Sequence, residues 1–162
     1  MADVEFKING VDSLLERMRA LPVELRKRPA RAALGKAAAV IRLQAAANAL
    51  ALDDTETGRK IAGNVVQRFR SKYSKRTGDL MISVGVATGK GRIPDGNPDT
   101  GAEGDTPHWH LLELGTEKMR AQPFLRPAAE SKAGEAVNVF ASELDKSLDR
   151  LLKRLAKQGG KR

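Results

Sequence analysis

A chain of 162 residues, 41% apolar and 30% charged, has the length and composition of one globular domain with a single core. It contains no cysteine, which excludes disulfides, zinc–thiolate sites and thiol catalysis and fits assembly in a reducing compartment. The net charge of +9 is uneven, with 16 Lys or Arg against 8 Asp or Glu over residues 1–76 and 13 against 12 over 77–162, so any partner drawn by charge alone meets the first half.

The opening MADVEFKING has no signal-peptide pattern, and no apolar run approaches the ~20 residues of a membrane helix, so a soluble, unprocessed chain with no membrane partner is expected. VEFKI alternates in the manner of a half-buried strand, and Asn9-Gly10 ends it. Val11, Leu14, Leu15, Met18 and Leu21 then fall at helical spacing until Pro22. A longer helical segment over 23–52, bent or interrupted near Pro29, carries Leu34, Ala37, Ala38, Ile41, Ala45 and Asn48 along one stripe. DDTETG at 53–58 breaks it with N-capping side chains, and Ile61, Val65, Val66 and Phe69 predict a third helix over 57–71.

DLMISVGVA at 79–87 reads as a strand with Leu80, Ile82, Val84 and Val86 on one face and Gly85 at a bulge or a close backbone approach. Residues 88–107 are dense in Gly, Pro, Asp and Thr and predict an exposed loop joining that strand to a partner. HWHLLEL at 108–114 fits a second strand or a short helix. The last helix is expected over 128–157, with a frayed tail at 158–162. The expected fold is α+β: a single domain over 1–162 in which long helices cover one face of a small antiparallel sheet.

The chemistry-bearing candidates are few. His108 and His110 sit i, i+2, which would put both imidazoles on one face of a strand, but no third ligand is evident and no metal is assigned. GKGRIPDG lacks the Gly-Lys-Ser/Thr ending of a phosphate loop, and DDTETG places Asn64 where a calcium loop needs its twelfth-position glutamate. With no nucleophile elbow, paired-carboxylate motif or His-Glu-x-x-His, no catalytic residue and no cofactor is assigned, and a non-enzyme is expected. Two basic runs stand out: Arg26, Lys27, Arg28 and Arg31, then Arg68, Arg70, Lys72, Lys75 and Arg76. On Coulombic grounds they suit phosphates, an acidic protein surface or an anionic membrane about equally, but Phe69 and Tyr73 are the only stacking aromatics among them, so nonspecific DNA contact is easier to support than sequence-specific readout.

The densest pattern is HWHLLELGTEKMRAQPFLRPA at 108–128. Its Glu113, Leu114, Gly115 and Thr116, then Lys118 and Met119, then Gln122, Pro123, Phe124, Leu125, Arg126, Pro127 and Ala128 resemble the hallmark of HK97-type neck or tail-completion proteins of long-tailed double-stranded-DNA bacteriophages. The order of the VDSLLERMRALP, TGRKIAGNV and SVGVA segments resembles that family as well, with leucine at Leu114 where phenylalanine is common but an apolar anchor is kept. The resemblance implies a structural virion protein at the head-proximal end of a phage tail, assembled in the host cytoplasm. Its implied partners are other neck and tail proteins and copies of itself in a ring, with a hexamer favoured by tail symmetry. It leaves open whether the protein completes or terminates the tail. An accessory nucleic-acid-binding protein using the basic half is the alternative.

On physical grounds Gly115 allows a tight turn, Thr116 caps it, and Pro123 and Pro127 fix the path into the last helix while Phe124 and Leu125 pack beneath it. Trp109 and Met119 complete this block of expected junction or interface residues. The alanine-faced helices and the 88–107 loop are the expected contacts with neighbouring copies.

Overall fold

The structure, a computed structural model, describes residues 11–53, 60–88 and 106–159. The expected strand at 4–8, most of the 53–58 capping segment and of the 88–107 loop, and the end of the tail lie outside the described residues. In chain order the elements are α1 (Val11–Arg19), α2 (Val23–Ala49), β1 (Val65–Phe69), α3 (Ser71–Thr77), β2 (Ile82–Val86), α4 (Trp109–Leu114) and α5 (Leu125–Gly159), with short 3₁₀ turns at Leu50–Leu52 and Ala62–Asn64. The architecture is α+β, a two-stranded antiparallel sheet packed against long helices. Among the described residues, no helix is long and apolar enough to cross a membrane.

The chain divides into two compact units. The first comprises residues 1–37, 69–82 and 134–162. Its core is Leu21, Ala33, Leu144 and Leu148, with Leu14, Met18, Ala30, Phe140, Leu151 and Leu155 packed around them. On α5 these core residues recur at 140, 144, 148, 151 and 155, the spacing that keeps one helical face apolar. α1 carries Asp12 in its first turn and Arg17 and Arg19 in its last, charges that suit the helix dipole. Arg17 reaches from α1 to both Asp145 and Asp149 on α5, and Asp149 foremost holds its guanidinium even more firmly charged than usual.

α2 continues through Pro29 where an interruption or bend was expected. A proline in a helix interior costs one backbone hydrogen bond and crowds the preceding turn; Pro29 sits early in the helix and is itself buried. Of the expected α2 stripe, Ala37, Ala38 and Ala45 are buried, whereas Ala33 is buried in place of its neighbour Leu34.

The second unit comprises residues 38–68 and 83–133. Ala45, Ala49, Ile61, Val65, Leu112, Phe124 and Ala128 form its core, and Val84 and Val86 of the sheet pack against them. Alanine at three of these positions lets helical backbone come close to the large Phe124 ring, which is 1% exposed. Asp53 closes the chain around the segment after α2: its Oδ1 accepts from the amides of Ile61 at 2.6 Å and Ala62 at 3.2 Å. Asp53→Ala should therefore lower stability by about 1–2 kcal/mol, the worth of a lost helical cap, read as a shifted urea midpoint.

The expected third helix over 57–71 is corrected to the 3₁₀ turn at 62–64, β1 and then α3. Positions 61, 65, 66 and 69 suit a helix, but Val65 and Val66 are β-branched and a pairing partner is available. That partner is β2: Ala87 N–H donates to Asn64 O, and at the outer end of the pair Arg70 N–H donates to Met81 O. The sums of the paired positions agree, which fixes an antiparallel register. β2 therefore pairs backward with β1 and not across the long loop, and it begins at Ile82, not at 79. HWHLLEL forms α4, and α5 starts three residues earlier than expected. At Gly85 a side chain would meet open space, so no close approach explains that glycine.

Candidate functional site

The junction in the second unit is built from Glu113. α5 begins with Leu125, so the amides of Phe124, Leu125, Arg126 and Pro127 are the ones a helix start leaves without internal partners. Glu113 Oε2 accepts from Phe124 N–H at 2.7 Å and Leu125 N–H at 2.9 Å, and Oε1 accepts from Arg126 N–H at 3.0 Å. Pro127 has no amide hydrogen, so every donor at this terminus is accounted for. The carboxylate is only 8% exposed and lies at the positive end of a 35-residue helix, where negative charge is stabilised.

The rest of the motif holds that carboxylate in place. α4 ends at Leu114 with Gly115 N–H donating to Leu111 O at 2.8 Å. Gly115 then takes φ 77°, ψ 175°, a conformation open essentially to glycine alone. A Cβ there would stand 2.8 Å from Ala121 N and 3.1 Å from both Ala121 Cα and Met119 O. Thr116 N–H donates to Met119 O, while Thr116 Oγ1 accepts from Lys118 N–H at 3.3 Å and Met119 N–H at 3.0 Å. The chain returns when Gln122 N–H donates to Leu112 O at 2.7 Å.

Trp109 meets the Phe124 ring edge to face at 6.5 Å, and Met119 and Leu125 pack against the same core. Asn48 of α2 donates through Nδ2 to Phe124 O at 3.1 Å, and Gln44 Nε2 donates to Asn48 Oδ1 at 2.9 Å. Arg126 and Pro123 face solvent.

Two expectations change. Leu114 is 66% exposed and anchors nothing; Leu112, Phe124 and Trp109 carry the packing. His108 and His110 do not share a strand face, because they lie at the start of α4, where i, i+2 side chains diverge by roughly 200°. His110 Nδ1 is paired with Pro107 O at 2.9 Å. Among the described residues no group of three or more metal-ligating side chains forms.

The basic candidates differ in what their side chains do. Arg26 turns inward along the chain, donating to Leu21 O at 2.6 Å and Arg19 O at 2.8 Å, and so satisfies the carbonyl end of α1. Arg31 lies 3.9 Å over the Phe69 ring, and Arg76 lies 6.0 Å from that of Tyr73. Lys27, Arg28, Arg68, Arg70, Lys72 and Lys75 are exposed. Among the described residues the first unit holds 16 Lys or Arg against 8 Asp or Glu and the second 7 against 4, so the positive excess follows the first unit and not simply the first half of the chain.

Reading the sequence did not single out Asn48 as a partner of the junction, Arg17 as the tie between α1 and α5, or Arg150 and Arg154. The signal for Asn48 was its place on an otherwise apolar stripe; Arg17 had none, since its carboxylates lie 128 and 132 residues away. Compared with family models, curated proteins and solved structures, the chain matches none.

Proposed function

We propose that the protein is a structural virion component at the head-proximal end of a bacteriophage tail, completing or terminating the tail and enabling it to join the head. The observation that carries this reading is the Glu113 junction. The residues that resemble the tail-completion hallmark form one interlocked unit, in which a carboxylate, a glycine turn and a proline set the start of α5. Such a motif works by placing a long helix, which is what an assembling part requires.

Exposed apolar side chains support assembly as the mode of action. Leu43 and Leu50 are 58% and 64% exposed and sit seven residues apart, with exposed Ala47 between them, so one face at the end of α2 is apolar and uncovered. Copies of the chain in a ring, or neighbouring neck and tail proteins, would cover such a face.

The positive excess of the first unit favours a second reading, an accessory protein that binds DNA through phosphate contacts. Light scattering across concentration, with and without double-stranded DNA at physiological salt, separates the two. The tail reading expects a discrete multimer whose mass ignores DNA. A monomer that binds DNA with an affinity falling steeply as salt rises would replace it with the second reading.

A further inference from the structure

In the first unit, α2 and α5 line an open pocket of about 180 Å3 that the junction does not use. Arg28, Arg150, Arg154 and the Ser147 hydroxyl line it, over a floor that includes Pro29 and Leu151. None of its lining residues is acidic.

Two contacts hold Arg150 in position: Nε donates to Lys146 O at 3.1 Å, and a terminal nitrogen donates to Ser147 Oγ at 3.1 Å. Both acceptors are neutral, Glu143 acts on its charge only through space and is itself paired with Lys146, and three of its five N–H donors remain for a ligand. Arg28 and Arg154 are exposed, and among the described residues neither forms an ion pair with a carboxylate. The nearby Asp145 and Asp149 are already taken by Arg17.

We propose that this pocket binds a carboxylate side chain from an acidic, partly apolar segment of a partner protein. Guanidiniums suit carboxylates because their paired N–H groups match the two oxygens. The apolar floor suits the stem of such a side chain or an adjoining leucine, and cavities of about 150 Å3 already take a benzene-sized group. A DNA backbone fits less well. It presents one negative charge per ~1.7 Å and needs a continuous basic track, whereas the three guanidiniums of this pocket have the carboxylates of Asp145 and Asp149 on the same helix.

The assignment rests on the tail reading only in that the partner would then be a virion protein, and its test uses the purified full chain alone. The probe is a fluorescein-labelled Gly-Glu-Leu-Glu-Leu-Gly peptide followed by anisotropy, compared with its glutamine analogue, a 12-base-pair DNA duplex and inorganic phosphate. The glutamate peptide should bind, and its glutamine analogue should not bind measurably. Each of Arg28→Gln, Arg150→Gln and Arg154→Gln should weaken binding about two- to fivefold, the range for exposed ion pairs. The three together should exceed about tenfold, while the charge-matched set Lys72→Gln, Lys75→Gln and Arg76→Gln on α3 changes binding less than about twofold. The single variants serve if the triple one unfolds.

Equal losses from both triple sets would reduce the effect to overall charge and overturn the pocket. So would peptide binding that no arginine substitution touches. If phosphate displaces the peptide at equal concentration, or DNA alone loses affinity on substituting the pocket arginines, the site belongs to phosphates and the carboxylate assignment is wrong. Failure here leaves the tail reading to its own tests, and failure of those leaves a carboxylate pocket standing.

Discussion

Glu113→Ala is expected to destabilise the protein by about 3–5 kcal/mol, because three amide donors at a buried helix start lose their acceptor at once and each unsatisfied donor costs roughly 1–3 kcal/mol before water relaxes part of it. The amides are those of Phe124, Leu125 and Arg126, all within 3.0 Å of the carboxylate. Urea unfolding should show a lower midpoint with an unchanged slope. Hydrogen exchange should report lost protection first at these three amides, while the core of the first unit stays protected. Glu113→Gln should fall between alanine and the parent, since one oxygen still accepts but the amide group turns a donor toward donors. A Glu113→Ala variant as stable as the parent would mean that the cap is idle and that the motif serves something other than the start of α5.

The second large effect is expected at Gly115. Gly115→Ala should cost about 3 kcal/mol or more: strain at this backbone conformation contributes roughly 1–3 kcal/mol, and the clash with Ala121 adds to it. Gly115→Val should cost more again, enough to disrupt the junction. Two comparisons make the test specific. Asparagine, which tolerates left-handed helical geometry with ψ near +45°, should not rescue position 115, where ψ is 175°. At Gly78, which ends α3 with φ 85° and ψ −16° and open space around its Cβ site, asparagine should cost less than about 1 kcal/mol. Equal losses at the two glycines in thermal unfolding would contradict the steric account.

The helices α1, α2 and α5 could be read from the sequence because each carries a sustained 3.6-residue apolar period. β1 could not: Ile61, Val65, Val66 and Phe69 satisfy a helical spacing, and only the pairing of 64 with 87 and 70 with 81 decides for a strand. The same long-range choice removed HWHLLEL from the sheet. At the junction, Gly115, Thr116 and Phe124 were readable from residue chemistry, since a positive φ, a capping hydroxyl and a buried ring are each encoded locally.

The role of Glu113 was not, because its partners are backbone amides 11 to 13 residues away. A trace of it does exist in the sequence. Phe124 stands at the cap of α5, where Ser, Thr, Asp or Asn would serve locally, so the acceptor had to come from elsewhere. In the basic runs the sequence did not show that Arg26 caps α1 or that the exposed Arg31 lies over Phe69, because both contacts depend on the fold.

We propose that the chain acts by assembly at the neck of a phage. On that proposal a bacteriophage carries the gene, and electron microscopy of lysates of such a phage with the gene deleted tests it most directly. The account predicts filled heads and separate tails that do not join, with joining restored by the parent gene and poorly restored by Glu113→Ala. Normal numbers of joined, infectious particles without the gene would contradict it.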